Sequence, residues 1–301
     1  MKPKIAIVGC GIVGPALGKL LSQSGYGIIG VASRTLASAE RAAHFIGINN
    51  YTDDPLYISK NADIIFITTP DSVIKEVCEK IAYSRGFSSD SIVIHCSGAL
   101  PSEILSSAHT CRAYIASLHP LQSFASVEDA LKIIPGSYFS FEGDKKAVPI
   151  LKQIIKDLEG IELEIPTEGK ALYHAAASVA SNFLITLMDL ALNICSLIGV
   201  SKSNAFKALL PLIQGSLKNI ESVGIPAALT GPIARGDVEI VKSHIASLES
   251  EDSRLCHLYK ILALHTIDIA LAKGTLKQDK AHELRSILST SDPRYKIQDT
   301  G

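Results

Sequence analysis

The sequence contains no tryptophan and only two methionines, and its six cysteines are scattered at positions 10, 78, 96, 111, 195 and 256. Each shortage removes a class of function. Without CxxC spacing or any recognisable pairing, the cysteines read as buried, reduced thiols of a cytoplasmic protein, not as a disulfide or zinc framework. His282-Glu283 is followed by Leu-Arg-Ser, so the HExxH zinc pattern is missing, and no acidic calcium loop occurs; no metal is expected. None of the nine tyrosines has lysine four places later, which excludes the Tyr-x-x-x-Lys mechanism of short-chain dehydrogenases. A formal net charge of -1, an isoelectric point near 6.8 and the lack of a basic run argue against nucleic acid or a membrane surface as partner. The opening MKPKIAIVG passes at once into an apolar run, which leaves no room for a cleaved signal peptide.

Apolar residues, by contrast, are plentiful, with a mean hydropathy of +0.26. The longest apolar segment, 171–198, is interrupted by His174, Ser178, Ser181, Asn182, Asp189 and Asn193. That is too many polar groups for a lipid-facing span, so a buried helix is expected.

The stretch 4–35 organises the rest of the chain. An apolar run enters Gly9-Cys10-Gly11-Ile12-Val13-Gly14, a helical pattern follows, and a second apolar run ends at Ser33-Arg34-Thr35. This is a βαβ unit with a glycine-rich first turn. Gly9 permits the tight exit from the strand, Gly11 leaves a pyrophosphate unobstructed, and Gly14 lets the helix pack on the sheet. The diphosphate would meet the free N–H groups at Ile12 and Val13 and the positive end of the helix dipole. NAD sites place Asp or Glu at the end of the second strand for the ribose 2′-hydroxyl, whereas a guanidinium flanked by hydroxyls suits a 2′-phosphate. NADP(H) is therefore expected, with NAD possible if Arg34 is only a solvated loop residue.

Further apolar runs at 62–69, 91–95, 113–118, 138–142 and 161–165 alternate with helical patterns, implying a doubly wound parallel sheet. Helices are expected at 36–45, from Asp71 or Ser72 as N-cap, and at 148–158. In such sheets ligands lie beyond the carboxyl ends of the strands. Gly9 to Gly14, Thr68-Thr69-Pro70, Ser97-Gly98-Ala99 and the loop opening with His119-Pro120 should share that edge.

After Pro166-Thr167-Glu168 no strand is expected. The fold class is thus α/β: a doubly wound Rossmann domain over 1–166, followed by an all-helical substrate and dimerisation domain over 167–301. Thr167 should cap a helix running to about residue 198, roughly 45 Å long. On it Lys170, His174, Ser178, Ser181 and Asn182 fall within a sector of roughly 120°. Short polar groups on an otherwise apolar helix suggest a cleft wall. Later helices are expected at 203–221, bent or interrupted at Pro211, then 237–248, 253–273 and 279–288. Asp237 should cap the second of these, and the preceding Arg235 could bind an anionic substrate or tie the loop to a carboxylate.

These residues carry a resemblance. IAIVGCGIVGPALG, VASRT, ADIIFITTPD, IHCSGAL, SLHPLQSF, HAAASVASN and LTGPIARGD together resemble Rossmann-like oxidoreductases whose C-terminal half is a domain of unknown function. More distantly the chain is similar to the 6-phosphogluconate dehydrogenase superfamily, which includes pyrroline-5-carboxylate reductase and prephenate dehydrogenase. That likeness implies a helical C-terminal domain that completes the active site and forms a homodimer. It also matches His119 to a histidine that contacts the substrate hydroxyl in prephenate dehydrogenases. The glycine pattern that follows there is missing here, and so is the Lys-x-x-x-Asn motif of β-hydroxyacid dehydrogenases, because Lys170 is followed at the fourth place by His174.

Hydride transfer needs a bound nicotinamide and a group that exchanges a proton with the reacting C–OH or C–NH. His174 and His119 are the candidate acid/base groups, since a histidine near neutral pKa suits that task. Ser97 and Asn182 would orient the substrate, Ser97 would also touch the cofactor, and Lys170, Ser178 and Arg235 are substrate candidates. His119 could instead be a turn histidine bonded to backbone, and His174 a satisfied interdomain one. The expected function is an NADP(H)-dependent oxidoreductase for a small carbonyl, hydroxy, imine or amine substrate at an interdomain cleft. A module that binds NADP(H) as sensor or interaction partner is the alternative.

Overall fold

The computed structural model describes residues 2–289 of the chain. Two compact units divide it, Met1–Asn182 and Phe183–Gly301.

In the first unit β-branched runs form the strands, and glycine, proline or polar caps end them. The order is β1 (Lys4–Val8), α1 (Val13–Gln23), β2 (Gly27–Ala32), α2 (Leu36–Ile46), β3 (Tyr51–Thr52), α3 (Pro55–Ser59), β4 (Ile64–Ile67) and α4 (Asp71–Tyr83). Then come β5 (Ile92–His95), a 3-10 segment Ser102–Cys111, β6 (Tyr114–Pro120), α5 (Val127–Ile133), β7 (Tyr138–Gly143), α6 (Val148–Asp157), β8 (Ile161–Glu164) and α7 (Lys170–Ala180). The eight strands form one sheet in the order β3-β2-β1-β4-β5-β6-β7-β8. Its first six follow the doubly wound 3-2-1-4-5-6 order, with the switch of direction between β1 and β4.

The sheet is not parallel throughout. β7 pairs antiparallel with β6, Pro120 opposite Phe139 and Ala116 opposite Gly143, while β8 runs parallel to β7. The chain leaves β6 at the carboxyl edge, makes α5 there and re-enters the sheet from the same edge, so β7 runs in reverse. Ile5, Ile7, Leu17, Phe66, Ile94 and Phe141 pack on one face of the sheet, and Val8, Ile65, Ile67, Ile74, Val93 and Leu105 on the other. Two-sided burial accounts for the nearly continuous apolar reading of the central strands.

Two expected caps act differently. Pro70 holds the N-cap position of α4, so Asp71 is the first helical residue. Thr167 caps nothing; it opens a 3-10 turn, Thr167–Gly169, and its hydroxyl donates to Glu142 Oε2 at 2.9 Å.

The helix expected to run unbroken from Thr167 is two helices, α7 and α8 (Asn182–Leu197), interrupted at Ser181 with φ -112° and ψ -69°. Nor is it buried. Leu172 is 78 % exposed, Ile185 69 % and Ile198 80 %.

The second unit continues with α9 (Lys202–Val223), α10 (Pro232–Arg235), α11 (Val238–Glu251), α12 (Ser253–Lys273) and α13 (Gln278–Leu288). α9 runs on through Pro211 as one helix. Its neighbours α10 to α13 share a core of Ile233, Val241, Ile267, Leu284 and Leu288. Asp252 caps α12 by accepting from the Arg254 and Leu255 N–H groups, and Gly274 ends it in the left-handed conformation. By length and composition alone, 167–197 and α12 could each cross a membrane.

Candidate functional site

The first unit gathers most of the predicted residues at the carboxyl edge of its sheet. Gly9 leaves β1 at φ +112°, its N–H donating to Ala32 O and its carbonyl accepting from Thr68 Oγ1 at 2.7 Å. A Cβ there would sit 2.6 Å from the Thr68 carbonyl carbon. One on Gly14 would strike the Gly9 carbonyl, so these two glycines seal β1, β4 and α1 together. Gly11 differs: a Cβ would meet nothing within 4 Å.

That open space lies before a helix end with unused capacity. Ile12 stands at the N-cap of α1 without a side-chain bond, and the first turn, beginning Val13-Gly14, contains no acid. Its N–H groups and dipole are available to an anion. On the neighbouring loop the buried Thr69 Oγ1 has no hydrogen-bond partner among the described residues. Pro70 closes that loop. Clearance at Gly11, an uncapped helix and an unpartnered hydroxyl fit a dinucleotide diphosphate.

At the end of β2, Ser33 is half-buried and Arg34 and Thr35 are exposed. The Arg34 guanidinium has no hydrogen bond or ion pair among the described residues. No acid occupies the first turn of α2.

The ends of β5 and β6 meet α7 in a polar cluster. His95 is fully buried, accepting the Ser97 N–H at Nδ1 (3.1 Å) and bonding Pro101 O through Nε2 (3.2 Å). The first contact fixes the proton on Nε2. Burial, and next the Lys170 charge, push its pKa down to about 3. The Ser97 hydroxyl donates to Asp71 Oδ2 at 2.7 Å and accepts from the Ala99 and Leu100 N–H groups at 3.1 and 3.0 Å. Ser97 therefore builds the loop as well as lining it.

Lys170 opens α7 at 1 % exposure, and its Nζ donates to Ser97 O (2.9 Å) and Ser117 Oγ (2.7 Å), tying the helix to β5 and β6. Burial lowers its pKa to about 8, opposed by Glu142, Cys96 and Asp71. Glu142 is buried in turn and accepts from Ser102 N, Ser102 Oγ and Thr167 Oγ1 at 2.7, 2.7 and 2.9 Å. A carboxylate with three donors sits comfortably without water.

His119 is placed by its neighbours. Its Nδ1 lies 3.0 Å from the Tyr173 hydroxyl, with the two rings edge to face. A Cβ on Gly98 would come within 2.9 Å of both Cε1 and Nε2, so only glycine lets the loop after β5 pack this closely against the imidazole. Burial first, then Lys170 and His174, bring the His119 pKa down to about 4. The imidazole is thus neutral at physiological pH, not poised near neutrality as the sequence suggested.

The structure brings Ser97, His119 and Lys170 together, and His174 stands close enough for its charge to act on His119. The His174 side chain is exposed, Ser178 is half-buried, and Asn182 is exposed as the first residue of α8. Arg235 lies in the second unit, where its Nε and one terminal nitrogen each lie 2.8 Å from Asp237 Oδ2. The pair ties the loop to a carboxylate, and Asp237, expected to cap α11 with its side chain, makes no such bond. Sequence reasoning missed Tyr173, His95, Ser117 and Glu142. Only Tyr173 left a trace, standing three places after Lys170 on one helix face.

A cavity of about 600 Å³ lies at the opposite edge of the sheet, lined by Asp90, His109, Arg112, Tyr114, Asp144 and Lys145 among others. None of the predicted site residues borders it. Among the described residues no cluster of three or more His, Cys, Asp or Glu side chains could hold a metal.

The profile of a Rossmann-like domain matches residues 1–120, and that of a domain of unknown function, DUF2520, matches residues 137–266. No curated protein matches. Among solved structures, BF3122 of Bacteroides fragilis, provisionally described as an NADP oxidoreductase, is 23 % identical with a TM-score of 0.72, over 89 % of this chain and 98 % of that one. Protein TM1727 of Thermotoga maritima is 28 % identical with a TM-score of 0.71, over 90 % and 99 %. A Plasmodium falciparum pyrroline carboxylate reductase with NADP bound is 15 % identical with a TM-score of 0.57, over 93 % and 98 %.

Proposed function

From a chain that joins a Rossmann-like domain to the domain of unknown function DUF2520, we propose an NADP(H)-dependent oxidoreductase acting on a small carbonyl, hydroxy, imine or amine compound. One observation carries this reading: the unobstructed Gly11 turn lies on the same carboxyl edge of one sheet as His119, at the end of β6. The relatives described as handling NADP are consistent with it.

The glycine turn and α1 N-terminus would hold the diphosphate, Thr68, Thr69 and Pro70 would border it, and Ser33, Arg34 and Thr35 would receive the 2′-phosphate. When bound, the reduced nicotinamide supplies the hydride. The remaining work belongs to the protein. With the Tyr173 hydroxyl, 3.0 Å away, donating to His119 Nδ1, the imidazole proton would sit on Nε2. A neutral imidazole donating from Nε2 polarises a carbonyl or imine without giving up its proton fully, as the helix-depressed histidine of triosephosphate isomerase does. His174, exposed beside Tyr173, would give the proton that the newly formed alkoxide or amide takes up and regain one from solvent. Lys170 and Ser97 act as positioning residues, holding the β5 loop and the start of α7 in register.

We extend the same reading to organisation. The division into a dinucleotide domain (1–166) and a substrate and dimerisation domain (167–301), the homodimer and the cytoplasmic setting all belong to it. The exposed apolar faces of α7 and α8 support the dimer.

The test is NADPH oxidation, followed at the absorbance of the reduced ring, across a panel of small 2-oxo acids, ketones and cyclic imines. His174→Ala should abolish turnover and leave NADPH affinity nearly unchanged. If NADPH binds tightly but no compound in any class is reduced or oxidised, the non-catalytic sensor becomes the better reading.

A further inference from the structure

We propose that Arg41, which lies outside the Ser33-Arg34-Thr35 turn, is a second cation reading the 2′-phosphate, held in place by Ser38. The proposal rests on the NADP(H) reading and concerns which residues make that choice. Arg41 is one turn further along α2 than Ser38, and helical side chains lean back toward the N-terminus. Its guanidinium accordingly returns to the first turn, where a terminal nitrogen donates to Ser38 Oγ at 3.0 Å. The same Ser38 oxygen accepts from Thr35 Oγ1, also at 3.0 Å. One hydroxyl thus links Arg41 to the turn that carries Arg34.

The surroundings favour an anion at this point. The Thr35 side chain stands at the N-cap of α2 but makes no cap bond, and the first turn holds no acid. Glu40, beside Arg41 in sequence, is bonded instead to the Tyr51 hydroxyl at 3.1 Å. Neither Arg34 nor Arg41 has an ion pair among the described residues. Two guanidinium groups, three hydroxyls and an open helix N-terminus with no acid in its first turn match the chemistry of a phosphate monoester dianion. A ribose 2′-hydroxyl would use none of this positive charge. The Ser38 bond also restricts the Arg41 rotamers before any ligand arrives, which reduces the ordering cost on binding.

The experiment is a fluorescence titration with NADPH and NADH, and calorimetry with 2′,5′-ADP and 5′-AMP as probes carrying and lacking the 2′-phosphate. Wild type, Arg41→Ala, Arg41→Lys, Ser38→Ala and Arg34→Ala are compared. Arg41→Ala is expected to weaken NADPH and 2′,5′-ADP by about tenfold, the scale of one charge-assisted contact, and to leave NADH and 5′-AMP within about twofold. Arg41→Lys should recover part of the loss, and Ser38→Ala should cost about threefold. If Arg34→Ala is selective but Arg41→Ala is not, the proposal fails and the NADP(H) reading stands. Equal loss of all four ligands in Arg41→Ala also overturns it, because the residue is then structural. If wild type binds neither dinucleotide, the cofactor reading itself falls.

Discussion

The Tyr173 hydroxyl lies 3.0 Å from His119 Nδ1, joining the first helix after the sheet to the end of β6. The contact orients an imidazole that burial already keeps neutral. Tyr173→Phe keeps the ring and its edge-to-face packing while removing the hydroxyl that holds the imidazole. Turnover should fall by about ten- to a hundredfold, the usual range for disturbing an acid/base partner, with the NADPH dissociation constant within about twofold. Loss of the hydrogen bond should cost about 1 kcal/mol of stability. Steady-state kinetics, cofactor titration and thermal denaturation of one preparation check all three, and unchanged turnover would remove the tyrosine from the mechanism.

Lys170 acts on His119 through charge. With burial as the larger cause and Lys170 the next, the histidine is held at about 4. Lys170→Met fills a similar volume without the charge, so the His119 pKa should rise but stay below the ordinary 6.5, because burial persists. Titration of the imidazole Cε1 proton by NMR reads this directly. No movement would mean that burial alone sets the value.

His95 gives the protein an acid limit. Its folded pKa, about 3, lies below the ordinary 6.5. A depressed histidine contributes stability that is complete above the unfolded pKa and is lost as pH falls toward the folded one. The loss should begin below about pH 6.5 and reach on the order of 3 kcal/mol near pH 4. His95→Gln cannot gain a proton, and it retains an acceptor and a donor for Ser97 N and Pro101 O. Chemical denaturation between pH 4 and 7 should therefore show a flatter stability profile for the variant, and parallel profiles would contradict this account.

How much is legible in the sequence differs between the two ends of the site. The cofactor end is legible because its requirements are local. A strand, three spaced glycines and a helix lie consecutively, and Gly9 and Gly14 each answer a close backbone contact around that same turn. The His119 end is only partly legible, since Tyr173, Glu142 and Ser117 reach it from separate elements and no spacing marks them. The apolar composition of 171–198 is plain, but hydropathy does not say what covers an apolar face, and the inference of burial fails. The break at Ser181 and the reversed β7 leave no local signal, for neither involves a proline or an unusual turn residue at the position itself.

The uncovered faces lead to the last prediction. Leu172, Val179, Phe183 and Ile185 are 78, 58, 56 and 69 % exposed on α7 and α8, a density of large apolar groups that water does not favour. Leu212 and Val223 on α9 are 66 and 60 % exposed. A second copy of the chain would bury them at about 25 cal/mol per Å² of apolar surface, less the cost of association. Light scattering coupled to size exclusion should give twice the chain mass of 32.1 kDa. Leu172→Asp combined with Ile185→Asp, placing two charges on the apolar surface, should give a monomer or a strongly concentration-dependent mixture. Because Leu172 follows Lys170 by two places and precedes Tyr173 and His174, the same double variant should also lower turnover if pairing steadies α7. A monomeric wild type would remove the dimer, and recovery only in detergent micelles would instead mark these helices as lipid-facing.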